Sequence, residues 1–491
     1  MKYLEMLARE HVRGGLTALL LLASTPAWGS FDAPVSHEVS GFVFGITIGD
    51  IDGDDLPDVA AGIGGVSLLF NTGTGLGPEL VIDGTGGARY VAIADIDGDD
   101  DRDLVALIRE ADYFIVVVRN QGDGTFAAPV PYGVPDVQTV GNFTFKLRLT
   151  DIDLDGDPDA VLVGGFIDPQ IVVLRNDGSG VFGMGEPYLL APTPFVYVAD
   201  LDVADFNNDD YADVVGVVDN SNAVAVLLND GEGGLLPAAP VELGQPFPVG
   251  VLARDVNDDG RPDLLVASCG APGGELRVGL NDGAGGFVLS DVEPLIGACH
   301  SITNPMGLAA GHLDDDTAID LVYASRMTDS VRLLRGLGDG TFEASEILAT
   351  NPDPMVVAVG DMNGDGSDDV IGASSSFDSG TPDTVVLFAN VAGDTDGDGV
   401  TNDIDNCVEM ANADQRDTDA DGIGNRCDPD VAVPNDCTVN FLDLDVYKTN
   451  FFAAGDLDTD NDGDGNTNFA DLNVVKSFFF GPPGPSAAGC N

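Results

Sequence analysis

Short apolar runs recur along this chain, each entered through an acidic string. VAAGI, LVALI, AVLVG, VVGVV, LLVAS, LVYAS and VIGAS follow such strings, and a second apolar run and a Gly-rich turn come after most of them. The runs are about five residues long, rich in Val, Ile and Leu and bounded by Gly, Asn and Asp, a pattern that predicts strands buried on both faces. The acidic strings read DIDGDDLPD from Asp50, DIDGDDDRD from Asp95, DIDLDGDPD from Asp151, DFNNDDYAD from Asp205, DVNDDGRPD from Asp255, HLDDDTAID from His312 and DMNGDGSDD from Asp361. Their starts are 45, 56, 54, 50, 57 and 49 residues apart, near the roughly 40 to 50 residues that four short strands and their turns occupy in a propeller blade. The Gly turns begin at Asn71, Asn120, Asn176, Asn229, Asn281 and Leu337, and Gly, Asn and Asp there tolerate the positive φ of tight hairpins. Each unit thus predicts strand A, acidic loop, strand B, strand C, Gly turn and strand D. Seven units predict a mainly β fold, a seven-bladed β-propeller.

Composition narrows the function classes. With 44% hydrophobic residues the chain is not wholly disordered, and 64 glycines with 28 prolines make it dense in turns. Against 83 Asp and Glu stand 20 Lys and Arg, a net charge of -63. That surface repels phosphate backbones and anionic lipid, so no nucleic-acid partner is expected. Residues 1–29 read as a signal peptide: Lys2, Arg9 and Arg13 precede a short apolar run at 16–23, and Ala27 and Gly29 are small residues near a cleavage point. No other stretch is long enough to span a membrane. A secreted or cell-surface chain is expected, and its six cysteines suit three disulfides.

At these acidic strings and Gly turns the chain resembles the FG-GAP/VCBS repeat family, whose best-known members are integrin α-subunit head propellers; the resemblance covers about 30–392. Oxygen donors at positions 1, 3, 5 and 9 of a tight loop, with a backbone carbonyl near position 7, supply about the six oxygens that calcium takes, and magnesium wants stricter geometry. The residues are Asp50, Asp52, Asp54 and Asp58; Asp95, Asp97, Asp99 and Asp103; Asp151, Asp153, Asp155 and Asp159; Asp205, Asn207, Asp209 and Asp213; Asp255, Asn257, Asp259 and Asp263; and Asp361, Asn363, Asp365 and Asp369. The resemblance implies the same roles. In the sixth loop His312 stands at position 1, and imidazole is a poor calcium ligand, so that site is expected to be weak or empty. His37 and His300 have no evident catalytic partner in the sequence.

Strand alternation puts the acidic loops and Gly turns at one end of the ring and the B–C and D–A connections at the other. Cys269 and Cys299 belong to that opposite end, in longer loops, where a disulfide between them is permitted and where a ligand could bind. The seventh unit lacks a strand D, while FDAPVSHEV from Phe31 resembles FAAPVPYGV from Phe126 in the second unit. Residues 30–40 are therefore expected to close blade seven as its outer strand.

Beyond the propeller, 393–430 contains DTDGDGVTNDIDNC and DQRDTDADGIGNRCD, which resemble thrombospondin type 3 repeats. That resemblance implies calcium held by Asp394, Asp396, Asp398, Asn402 and Asp405, then Asp417, Asp419, Asp421, Asn425 and Asp428, with a Cys407–Cys427 bridge. Residues 431–491 carry a duplication, NFLDLDVYKTNFF and NFADLNVVKSFFF, that looks like a helical dockerin module. Asp460, Asp462, Asp464, Asn468 and Asp471 stand at EF-hand positions 1, 3, 5, 9 and 12, whereas Ala432 and Pro434 spoil the first half. One calcium is expected there, with Cys437 and Cys490 as a clamp and a cohesin-like partner left open. The favoured function is binding or adhesion to an extracellular glycan or protein. A polysaccharide hydrolase or lyase on the same scaffold is the alternative, disfavoured because calcium spacing accounts for nearly every carboxylate cluster and no Ser/His/Asp, Cys/His or HExxH arrangement is evident.

Overall fold

The computed structural model describes residues 31–390 except 32, 74, 110–112, 123, 135–145, 165–169, 191–197, 219–220, 245–246, 270–273, 297–306, 315, 351–352, 365–366 and 376–381. It also describes Leu444, Val446, Tyr447 and Asn450, all in helical conformation within the first copy of the C-terminal duplication. The sites expected at 394–428 and 460–471, Asp365, His300, the signal peptide and Cys299, Cys407, Cys427, Cys437 and Cys490 lie outside the described residues.

Seven antiparallel sheets follow one another along the chain, six of four strands and one, in blade four, with a short fifth. The A strands are Gly45–Gly49, Ala88–Ala94, Leu147–Thr150, Val198–Ala204, Pro248–Arg254, Leu308–Gly311 and Pro354–Gly360. Each touches the A strand of the next blade, and the seventh touches the first, so the A strands form the inner wall of a closed ring. Blade four departs from the simple pattern. Its outer edge is broken into Leu235–Pro237 and Val241–Glu242, both paired with strand C, Ala223–Asn229.

Blade seven takes its outer strand from the other end of the chain. Val35–Val39 runs antiparallel to Asp383–Phe388, with Val35 opposite Leu387 and Val39 opposite Asp383, and Phe31 bridges Asn390. The missing D strand is thus supplied as the Phe31 segment's likeness to the second unit suggested.

The core consists of seven apolar layers, each between two neighbouring blades. Along Asp103–Arg109, Leu104, Ala106 and Ile108 face blade one while Val105 and Leu107 face blade three. A strand buried on both faces has no polar alternation, which explains the continuous apolar runs in the sequence. Each fully buried Val or Leu contributes roughly 1.5–3 kcal/mol, so the interblade layers are the main source of the ring's cohesion.

Candidate metal centres in the acidic loops

Every acidic loop joins strand A to strand B, and its nine positions divide their work. The position-1 carboxylate folds the turn: Asp50 accepts the Gly53 and Asp55 N–H groups, and Asp205 accepts those of Asn208, Asp209 and Asp210. Positions 4 and 6 adopt left-handed backbone in loops one to five, including Leu154 at φ 58°. The position-5 carboxylate accepts the position-7 N–H, as in Asp54 with Leu56 and Asp155 with Asp157.

Position 9 welds the loop to the blade. Asp58, Asp103, Asp159, Asp213, Asp263, Asp320 and Asp369 are buried, and in each one carboxylate oxygen accepts the N–H of position 2. The other oxygen accepts an N–H at the head of the Gly turn, from Asn71, Asn120, Asn176, Asn229, Asn281, Gly336 or Asn390. Burial is the main cause that raises Asp58, Asp103, Asp159 and Asp213 to about 6 and Asp320 to about 7, against backbone hydrogen bonds that lower them. A carboxylate oxygen has two lone pairs, so these hydrogen bonds leave room for a cation.

The Asn at the head of the turn also ties blade to blade. Its Nδ2 donates to the position-2 carbonyl of the preceding blade: Asn120 to Ile51 at 2.6 Å, Asn176 to Ile96 at 2.8 Å, Asn229 to Ile152 at 2.7 Å, Asn281 to Phe206 at 3.0 Å and Asn390 to Leu313 at 3.1 Å. Asn71 makes the same bond to Met362 across the ring closure. Sequence reading assigned these residues only to turn geometry. Their recurrence at six turns or turn equivalents was the available signal, but no spacing rule connects a turn to a loop some 70 residues earlier.

Position 3 is where the loops fit a cation. Asp97 Oδ1, Asp153 Oδ1 and Asn207 Oδ1 are buried with no hydrogen-bond partner, although a buried acceptor ordinarily finds one. Ligand oxygens of Asp50, Asp52 and Asp58, of Asp95, Asp97 and Asp99, and of Asp151, Asp153 and Asp159 lie within 4.8 Å of one another. The second Asp97 oxygen is 3.0 Å from Arg119 Nη1, and the second Asp153 oxygen is 2.9 Å from Arg175 Nη1. In loop four Asn207 Nδ2 donates to Asp209 at 2.9 Å, which points its amide oxygen the other way. In loop five Asp255 accepts the N–H groups of Asn257, Asp259 and Gly260, while Asp259 pairs with Arg261 at 2.5 Å. In loop seven Asp361 accepts the Gly364 N–H at 2.7 Å and Asn363 donates to the Asn390 carbonyl at 3.4 Å.

The sixth loop differs in kind. Arg335, 3% exposed, lies 3.1 Å from Asp314 at position 3, an electrostatic contact rather than a directed hydrogen bond. His312 offers its N–H to Asp368 of blade seven at 2.8 Å. Arg119 and Arg175 approach position 3 in loops two and three as closely, but they are more exposed, and there the position-1 carboxylate is kept. In blade six the Asn is absent as well: Gly336 takes its place because a Cβ there would lie 2.2 Å from the Ile319 carbonyl oxygen, and the Gly340 N–H bonds the Val256 carbonyl of blade five instead. At the opposite end of the ring Cys269 is disulfide-bonded.

Residues 151–216, 205–266 and 312–372 match the FG-GAP-like repeat. No curated protein matches the sequence. Among solved structures, the BP39L lectin of Burkholderia pseudomallei is similar at 16% identity and a TM-score of 0.51, over 68% of this chain and 93% of the lectin. An Agrocybe aegerita lectin that recognises non-reducing terminal N-acetylglucosamine has 20% identity and a TM-score of 0.44 over 70% of this chain and 94% of its own. Virginiamycin B lyase of Staphylococcus aureus has 12% identity and a TM-score of 0.47 over 73% and 99%. Seven sheets in a closed ring make residues 31–390 a seven-bladed β-propeller, and three stretches of it match FG-GAP-like repeats.

Proposed function

We propose that the chain is an exported propeller braced by calcium, which binds an extracellular glycan or protein at the end of the ring opposite the acidic loops. The observation that carries the calcium reading is the set of buried, unpartnered position-3 oxygens at Asp97, Asp153 and Asn207, facing carboxylates that repel one another without a cation. Calcium there would be held by the side chains of positions 1, 3, 5 and 9 and would neutralise the loops while leaving their backbone bonds in place. Loops one to five and seven are assigned to calcium, and the sixth is not. The thrombospondin-like and dockerin-like segments extend the reading with two further calcium sites and one, about nine ions in all.

Binding is favoured over catalysis because the loop carboxylates are engaged by backbone N–H groups, which fixes them as structural acceptors rather than as a mobile acid-base pair. The scaffold is one that lectins also use, which is compatible with a glycan ligand. Calorimetric calcium titration of the full mature chain, followed by a glycan array and a polysaccharide-degradation assay, tests both halves. Fewer than about three ions bound would sink the calcium reading, and turnover of a polysaccharide would replace binding with catalysis.

A further inference from the structure

The inner wall of the ring encloses a cavity of about 370 Å³. It is lined by A strands of blades one, two, three, five, six and seven, and among the described residues every charged side chain on its lining is a cation: Lys146, Arg148 and Arg254. In a chain with 83 acidic and 20 basic residues, three cations without a lining carboxylate run against composition.

Two buried carboxylates on the A strand of blade four pair with these cations. Asp202 accepts Arg148 Nε at 2.8 Å and the Ala253 N–H at 3.0 Å, and lies 3.5 Å from Arg254 Nη1. Asp200 lies 3.5 Å from Lys146 Nζ and accepts the Val251 N–H at 3.2 Å. Three positive charges thus face two negative ones, and both negative groups are also committed to backbone donors. Arg148 Nη1 donates to the Tyr90 hydroxyl at 3.0 Å. Burial alone would raise the Tyr90 phenol, yet the neighbouring Arg148 and Lys146 charges hold it below its ordinary value. Phe44 and Tyr90 add apolar surface to the same cavity.

We propose that this axial cavity binds a small oxyanion-bearing ligand, of monosaccharide size and carrying a carboxylate or sulfate, through Lys146, Arg148 and Arg254. Arginine forks and a lysine ammonium form charge-assisted hydrogen bonds to such a group. The volume lies near the lower end of the roughly 300–1,000 Å³ typical of small-molecule sites. The assignment is independent of the binding surface proposed above, which lies at the end of the ring rather than on its axis.

Isothermal titration of the calcium-loaded full chain with glucuronate, glucose 6-sulfate, an oligoglucuronate and glucose tests it. At least one charged monosaccharide should bind with one-to-one stoichiometry, weaken as sodium chloride is added, and be unmatched by glucose. Binding of the monomer alone identifies a free acidic sugar as the source, and binding of the oligomer as well identifies the charged end of a polymer. Arg254→Gln and Lys146→Met should each weaken binding about tenfold or more. Arg254 is 45% exposed and Asp202 keeps Arg148, so Arg254→Gln should keep the parent melting transition, whereas Lys146→Met leaves Asp200 without its lysine and should melt lower while still folding. The proposal is overturned if neither charged monosaccharide binds, if glucose binds equally well, or if both folded variants bind as the parent does.

Discussion

In the third blade Asp151, Asp153, Asp155 and Asp159 crowd into one loop, and Arg175 reaches one Asp153 oxygen while the other stays buried without a partner. In the sixth, His312 has displaced the first carboxylate, and Arg335 is buried against Asp314. Both arginines precede the head of a Gly turn, so the same strand end serves two electrostatic arrangements. The difference lies in position 1. A carboxylate there leaves more negative charge than one guanidinium can offset, and the site still fits an external cation. An imidazole lowers the demand, and a single internal arginine suffices. Blade six is accordingly expected to be indifferent to calcium, while blade three depends on it.

The comparison breaks most visibly at Arg335. Arg335→Met removes the internal cation from beside Asp314, and loss of one partner from a buried pair costs about 3–5 kcal/mol. Thermal unfolding should show that loss even in saturating calcium. The double variant with His312→Asp should regain much of it when calcium is added and bind one ion more by calorimetry. If calcium leaves the double variant unchanged, the sixth loop does not share the plan of the others.

A smaller effect is expected at the interblade latch. Asn229→Ala leaves the buried Ile152 carbonyl without its donor and should cost about 1–3 kcal/mol. Gly336→Asn, the reciprocal change, should destabilise rather than add a latch, because its side chain meets the Ile319 carbonyl. Chemical denaturation of both variants compares the two blades directly.

The pH dependence separates the loops next. Asp320 is raised by burial to about 7 from an ordinary 3.8, so its folded value lies above its unfolded one. Its contribution to stability is full below about 4 and is lost as pH rises through about 7. On the calcium reading, saturating calcium would keep the other position-9 carboxylates ionised, so this loss should survive in the parent and disappear in Asp320→Asn. Melting temperatures measured across that interval decide it.

The least effect concerns backbone strain. Leu154 holds position 4 of the third loop at φ 58°, where the first, second and seventh loops have Gly53, Gly98 and Gly364. Leu154→Gly should stabilise the protein by at most about 1 kcal/mol. An unchanged or lower melting temperature would mean that the loop pays nothing for a side chain there.

The blade count, the strand order within each blade and the outer strand of blade seven were legible because apolar runs and acidic strings repeat at blade spacing. The split outer edge of blade four was not, since LLPAAPVEL offers one apolar run interrupted by proline and no residue that marks where pairing stops. In the loops, acidic spacing located the candidate ligands, while the duties of position 9 and of the Asn donors depend on contacts between units that spacing does not encode. Arg335 is the sharpest case. Its sequence neighbours, VRLLRGLG, read as a strand end with a solvated charge, and only the fold brings it beside Asp314. The cationic lining of the cavity was equally hidden, since Lys146 and Arg148 belong to blade three and Arg254 to blade five, more than 100 residues further on.

The strand at Val35–Val39 finds its neighbour only when Asp383–Phe388 has been made. A chain emerging from its N-terminus therefore carries that strand unpaired while six blades and most of the seventh assemble, and closure waits for about 350 residues of synthesis. Until then the ring is an open arc with two sheet edges exposed, and each edge can pair with another arc as readily as with its own. Folding of such a chain is a contest between finishing one ring and joining two.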